Sequence, residues 1–364
     1  MEPYRDKAAL VSRYVPFGNQ LVHARQRCRR ALGDRHTQRE KVASVRSVLP
    51  AAGAARRAAL GIAGAVAAGV LIGGCGSDQL GAAAFVDGNE IRQDQVHEQL
   101  VTVLDKEGPQ ARAQLVAGHQ LDDVSRKILT LRIRHQLLDI AARRAGVTVD
   151  QAQVNRLITE VGGAQAASKG TIFDANTYRE RAKDKLLMVA LGRFALRNSA
   201  VTVDYTTANT RTAAKQRVDE LSQAGSKRAR QLIDADVRAG KDAELGKRIV
   251  AADDPIFATT PAFGVAEGTV VAFQLTDTKP WVVMVVKNRA DRGVQPSEHA
   301  PEIDQIDPAV LEAIGLRQLA RVADEVGVRL NPRYGVWDPV TLQVVSDENE
   351  TGGFEAPLLA VPRA

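Results

Sequence analysis

The side chains in this sequence best suited to catalysis, metal binding or covalent modification are two cysteines and six histidines. The histidines show no i, i+4 pair and no spacing typical of metal ligands, which indicates scattered surface residues. They are His23, His36, His97, His119, His135 and His299. No G-x-S-x-G elbow, P-loop or G-x-G-x-x-G turn is present. The sequence therefore predicts no catalytic residue, no metal site and no bound cofactor.

Cys75 ends a long uncharged stretch. Arg56 and Arg57 precede residues 58–74, and the stretch closes with Leu71-Ile72-Gly73-Gly74-Cys75. This order of basic, apolar and small residues is the layout of a signal peptide. Its end resembles the lipobox of bacterial lipoproteins, which implies cleavage between Gly74 and Cys75 and lipid attachment at Cys75. Acyl chains contribute about 0.8 kcal/mol per buried CH₂, so they would anchor the chain to the outer face of the cell membrane. An ordinary transmembrane helix over 58–74 is the alternative.

The positive charge of the chain is confined to this leader. The formal net charge is +6, but residues 1–74 hold 13 Lys+Arg and 4 Asp+Glu, and the remainder holds 36 and 39. A nucleic-acid-binding protein needs its basic surface on the folded part, so we exclude nucleic acid as the main partner. Cys28 also lies in the leader, so the mature chain can form no internal disulfide. For residues 1–55 we expect a later translation start or a disordered cytoplasmic extension removed with the signal.

Residues 83–200 are predicted to form one hairpin followed by helices. Asp87-Gly88-Asn89 is a hairpin turn between two short apolar strands. Apolar residues three or four apart then predict a helix from Val96, with His97, Glu98 and Lys106 facing water. Further helices follow over 122–145, which Gly146 ends, over 154–161, and over 178–194 after a loop at 162–170.

The second half of the chain mixes strands and helices. Helical stretches are predicted at 205–222, 226–239 and 241–250, after a short strand at 201–203. Two β-branched runs, 270–273 and 281–286, predict paired strands. Asp307-Pro308 predicts the start of a last helix, and Gly327 its end. Short strands at 328–330 and 336–337 follow, and residues from 346 onward are predicted to be loose.

Two segments resemble the periplasmic chaperones of the SurA and foldase PrsA type. The first is Ala84-Phe85-Val86-Asp87-Gly88-Asn89-Glu90-Ile91, followed by a helix. There the family has a short strand, Asn-Gly, an isoleucine and a helix, and Asp87 stands in for the usual Asn. The second segment runs from Leu131 to Leu157. It is a leucine-rich helix that leads through Ala145-Gly146-Val147-Thr148-Val149 into the next helix.

The resemblance implies a mostly helical α+β fold. Its parts would be a leader and signal peptide (1–74), a tether (75–82), a SurA-type N-terminal helical domain (83–200), a small degenerate parvulin-like α/β domain (201–295), a C-terminal helix and strand that pack on the first domain (296–345), and a flexible tail (346–364). In the family, parvulin catalysis uses histidines on the first and last strands. No histidine occurs between His135 and His299, so the resemblance implies a domain without isomerase activity.

The function implied is that of an ATP-independent chaperone or foldase-like binder of unfolded, exported polypeptides, held at the extracytoplasmic face of the membrane. The residues that bind clients stay unassigned. Tyr178, Phe194, Tyr334 and Trp337 could line a groove for clients, although core positions are expected for aromatic residues. Two alternatives stay open: an active peptidyl-prolyl isomerase, and a structural or assembly lipoprotein with one dedicated partner.

Overall fold

The first half of the folded chain is a β-hairpin followed by helices. The structure is a computed structural model that describes residues 81–359, so Gly74, Cys75, the leader 1–74 and most of the predicted tether lie outside the described residues. The described residues 81–359 belong to one compact unit. The elements of this half are β1 (Ala82–Val86), β2 (Asn89–Arg92), α1 (Gln93–Ala117), α2 (Leu121–Ala145), α3 (Gln151–Glu160), α4 (Ala164–Ala167) and α5 (Ala175–Asn198).

Local sequence signals set the ends of these elements. Asp87 and Gly88 adopt φ angles of 51° and 74°, the left-handed backbone that a two-residue hairpin turn requires. Gly146, at φ 64°, ends α2 as predicted. Gly108, at φ 82°, interrupts α1 just before Pro109. The predicted hairpin and helices of this half are confirmed.

The second half builds a five-stranded antiparallel sheet in the order β10-β5-β6-β3-β4. The predicted pairing of β5 with β6 is confirmed. Two 3₁₀ turns, Phe257–Thr259 and Pro261–Phe263, lie between β4 and β5. The elements are β3 (Ala200–Ala208), α6 (Arg211–Arg238), β4 (Glu244–Val250), β5 (Thr269–Gln274), β6 (Trp281–Ala290), α7 (Pro308–Val326), β7 (Val328–Leu330), β8 (Val336–Asp338), β9 (Gln343–Val345) and β10 (Gly353–Pro357).

Three predictions for this half are wrong. Residues 241–250 form strand β4 rather than a helix, and residues 205–208 continue β3 rather than opening the next helix. The tail is not loose throughout, because Gly353–Pro357 pairs with β5 as an edge strand. All three depend on pairing with residues distant in sequence, which a local pattern does not reveal.

The C-terminal segment returns to the first half. Asp307 caps α7 by accepting the Ala309 N–H at 2.8 Å, with Pro308 at the first helical position as predicted. Helix α7 packs along α5 and α2, and β7 pairs antiparallel with β1 to give a three-stranded sheet, β2-β1-β7. The predicted completion of the helical half by a C-terminal helix and strand is confirmed.

Helices α5 and α7 each contribute buried side chains to two core clusters. The first cluster surrounds Ile128 and Leu137 of α2 and includes Leu319 of α7. The second cluster lies on one face of the five-stranded sheet and includes Leu311 and Ile314 of α7. Helix α6 covers the opposite face of that sheet. Between residues 81 and 359, no helix is both long and apolar enough to cross a membrane.

Candidate functional site

The second cluster is incompletely covered. Seven apolar side chains that pack against it are only half-buried. We term them the apolar rim, and they are Val189, Tyr205, Phe257, Val282, Ile303, Ile306 and Val310. They come from α5, β3, the first 3₁₀ turn, β6, the segment before α7 and α7 itself. The rim is therefore where solvent reaches the apolar surface on this side of the sheet.

The first 3₁₀ turn supplies the most exposed part of this region. The Phe257 backbone N–H donates to Asp254 Oδ1 at 2.9 Å, and the Phe257 ring meets Phe263 edge-on with ring centroids 6.3 Å apart. Phe263 is only 1% exposed, whereas Ile256, next to Phe257, is 68% exposed. Ile256 thus adds exposed apolar area next to the rim, and contiguous exposed apolar area is what marks a binding surface.

Tyr205 gives the rim a polar border. Its hydroxyl donates to Asp242 Oδ1 at 3.2 Å, and Lys247 Nζ lies 5.4 Å from the centroid of its ring. Burial, followed by the negative charge of Asp242, raises the pKa of Tyr205 above its ordinary value. The phenol therefore stays protonated at neutral pH and keeps its hydrogen bond with Asp242 beside the apolar side chains.

Strands β3 and β6 lie side by side in the sheet. They are the strands on which the family resemblance would place histidines, but the buried side chains that they give to the second cluster are Val201, Val203, Met284 and Val286. Within residues 81–359, no three His, Cys, Asp or Glu side chains lie close enough to share a metal ion. The apolar side chains of β3 and β6 suit this face of the sheet to contact with other apolar groups.

Some of the residues singled out from the sequence lie in the described part of the chain and others do not. Cys75 and Gly74 lie outside the described residues, so lipid attachment stays a prediction. His135 does not fit the prediction of an isolated surface residue, because its Nδ1 lies 2.9 Å from Asp184 Oδ1 and joins α2 to α5. The hydrogen bond with Asp184 raises the pKa of His135 above its ordinary value.

Three of the four singled-out aromatic residues are half-buried and pack against core clusters. Tyr178 packs edge-on against Phe173 with centroids 6.2 Å apart, while Tyr334 and Trp337 pack against the first cluster. Phe194 differs, since it is 37% exposed. The rim residues Tyr205 and Phe257 escaped sequence reasoning. For Tyr205 the available signal is the alternation of Val201, Val203 and Tyr205, whereas the sequence prediction places residues 205–222 in a helix.

Buried carboxylates fix α6 to the sheet. Asp204 of β3 is 1% exposed and accepts the Gly246 N–H of β4 at 2.6 Å. Arg230 and Lys287 each lie 3.5 Å from its carboxylate oxygens. Asp236 of α6 is satisfied in the same manner by hydrogen bonds from neighbouring side chains. A buried charge with such partners is a structural element that sequence patterns do not identify.

A groove lies where α6, α7 and the residues after β10 meet. Its lining includes Ser226, Glu267, Asp324 and Leu359. Nearby on β10, burial, followed by the charges of Asp324 and Asp338, raises the pKa of Glu355 to about 7. The lining mixes apolar residues with the carboxylates of Glu267 and Asp324, so it is less uniformly apolar than the rim.

Comparisons with known proteins give little further guidance. No protein-family profile matches the chain, and no curated protein is similar to it. Among solved structures the chain is similar to the foldase protein PrsA from Streptococcus pneumoniae strain Canada MDR_19A, at 15% identity over 66% of this chain and 90% of that one, with a TM-score of 0.19. A TM-score this low does not establish a common fold. The description of the fold therefore depends on the element order and strand pairing given above.

Proposed function

We propose that this protein binds unfolded or partly folded polypeptides without ATP, and that clients contact the apolar rim together with Ile256. The observation that carries this proposal is the set of seven half-buried apolar side chains around the second cluster, next to an aliphatic residue that is 68% exposed. A surface of this kind suits clients of many sequences, because apolar contact is not directional.

The proposal includes the compartment. Clients would be exported proteins, and the chaperone would be held at the extracytoplasmic face of the membrane by lipid on Cys75. Supporting this is the order of basic, apolar and small residues before Cys75. Mass spectrometry of the native N-terminus tests it, with a lipid-modified Cys75 as first residue expected. An unmodified cysteine behind an intact leader contradicts the anchor.

Client binding is tested by light scattering from a chemically denatured protein diluted into buffer with or without this chain. Ile256→Ser and Phe257→Ser should weaken suppression of aggregation. Leu275→Ser is the matched control, since Leu275 is also exposed, at 53%, but lies between β5 and β6 outside the rim. Equal suppression by all three variants contradicts the assignment of the rim.

The two alternative functions have their own readouts. Turnover of a proline peptide by the same preparations would indicate an active isomerase. A single stoichiometric partner in a pull-down from envelope extracts would indicate a dedicated assembly protein. Binding of several unrelated clients without either result is the outcome that we expect.

A further inference from the structure

Strand β4 has one unpaired side. In the five-stranded sheet it pairs with β3 alone, and within residues 81–359 no strand lies beyond it. Residues 244 and 246–248 are exposed. The outer side of such a strand presents N–H and C=O groups in the geometry that another strand can pair with.

The two ends of the sheet differ in how open they are. At the far edge, β10 ends in Pro357, which has no N–H to offer, and Val340 packs tightly over Gly353. Strand β4 contains no proline. Its shape is maintained from the inner side, where the Asp204 carboxylate accepts the Gly246 N–H at 2.6 Å. This hydrogen bond fixes a bulge at Gly246, whose φ is 70°, and on the C-terminal side of the bulge residues 247–250 pair with β3 in regular register.

The open edge carries one positive charge, that of Arg248, which no carboxylate of the described chain compensates. Arg248 is exposed and has no hydrogen bond or ion pair with any residue between 81 and 359. Lys247 is 45% exposed and lies 3.1 Å from Glu244, while Arg230 of α6, 49% exposed, lies beside Asp204. Opposite charges across a strand pair are favourable and like charges are not. A strand that carries carboxylates would therefore pair best here.

The edge also adjoins the apolar rim. Tyr205 of the rim pairs in register with Glu244 of β4, and Lys247 stacks on the Tyr205 ring. We propose that the outer edge of β4 takes up an extended, carboxylate-bearing segment of a client polypeptide as an added strand. The inference rests on the proposed function, since it names the client segments that this side of the molecule selects.

The test measures fluorescence anisotropy of labelled ten-residue peptides with the full chain. One peptide alternates valine with threonine and carries two glutamates, and the second has two lysines in their place. The glutamate peptide should bind about three- to ten-fold more tightly. A third peptide carries N-methyl groups at every residue of the central part of the glutamate sequence and should lose binding, because neither of its edges can donate backbone hydrogen bonds to β4.

Arg248→Glu should reverse the preference between the two charged peptides. Arg156→Glu is the matched control, since Arg156 of α3 is likewise exposed and without an ion pair in the described chain, and it should leave the preference unchanged. Melting curves establish that both variants fold. The N-methyl comparison needs no variant, so strand addition is tested even if Arg248→Glu is unstable.

Three results would overturn the inference. Equal affinity for the glutamate and lysine peptides removes the selection for carboxylates. Undiminished binding of the N-methyl peptide removes strand addition. A dimer in analytical ultracentrifugation that Arg248→Glu dissociates, without peptide binding, shows that a second copy occupies the edge. If any of these occurs while Ile256→Ser still weakens client holding, the proposed function stands and the edge assignment alone fails.

Discussion

The contact between α5 and α7 gives a sharp prediction, because two glycines allow these helices to cross closely. A Cβ atom added at Gly315 of α7 would lie 1.9 Å from the Met188 carbonyl oxygen of α5, and one at Gly192 of α5 would lie 2.0 Å from the Leu311 carbonyl oxygen. Ordinary contact between a carbon and a carbonyl oxygen is about 3.4 Å. Gly315→Ala should therefore force the helices apart by about 1.5 Å.

Two opposing terms set the size of the effect. Overpacking costs about 1–3 kcal/mol and sometimes more, and the upper end applies because both blocking atoms belong to helical backbone. Alanine recovers about 1 kcal/mol through its better helix propensity. We expect a net loss of about 2 kcal/mol and a Tm lowered by about 4–6 °C. Gly192→Ala should behave alike, and the double variant should cost less than the sum, because one separation relieves both clashes.

The assay is thermal and urea unfolding followed by circular dichroism. Gly81→Ala is the matched control, because its Cβ would meet nothing closer than Glu90 Oε1 at 4.0 Å. A Tm for Gly315→Ala within about one degree of the Tm of this control would refute the close crossing, since clashes of this size outweigh the propensity gain.

Three further predictions concern charged side chains. Lys106→Met should lower stability by about 1–3 kcal/mol and speed hydrogen exchange in 168–173, because Nζ donates to three carbonyls of that segment at 2.5–2.8 Å. His135→Asn should lower Tm near pH 6 but not near pH 9, because the raised pKa of His135 gives stabilisation that is complete below its unfolded value and is lost as pH rises through the folded one. Glu355→Gln should raise Tm near pH 8 but not near pH 5. Its folded pKa of about 7 exceeds the unfolded value, so stability is lost as pH rises from the unfolded pKa to the folded one, and the loss is complete above the folded pKa. A pH-independent effect of either titratable variant would contradict its assignment.

Elements with strong local signals were predictable from the sequence. The turn at Asp87-Gly88, the end of α2 at Gly146 and the start of α7 at Asp307 each depend on residues within a few positions, and backbone preference or capping decides them. The same holds for β5 and β6, whose β-branched runs identify both strands. The return of α7 to the first half came from the family resemblance and not from any local pattern.

Strand β4 and Lys106 show where local reasoning fails. The charges around Leu245 and Ile249 fit a helix as well as an edge strand, and only the register with β3 distinguishes them. Lys106 lies on the predicted polar face of α1, yet its ammonium group donates hydrogen bonds to three backbone carbonyl oxygens of residues 168–173. A chain segment more than sixty residues away supplies these acceptors, so the helix pattern does not predict the contact.

Helix α7 contributes residues to the apolar rim and to both core clusters. Val310 belongs to the apolar rim, Leu311 and Ile314 are fully buried in the second cluster, and Leu319 is fully buried in the first. The side chains of one rigid helix therefore cannot shift in one cluster without strain in the other, because close-packed interiors tolerate little displacement. For this reason we expect the glycine variants at the α5 and α7 crossing to weaken client holding as well as stability, whereas Ile256→Ser, at an exposed position, should weaken holding alone.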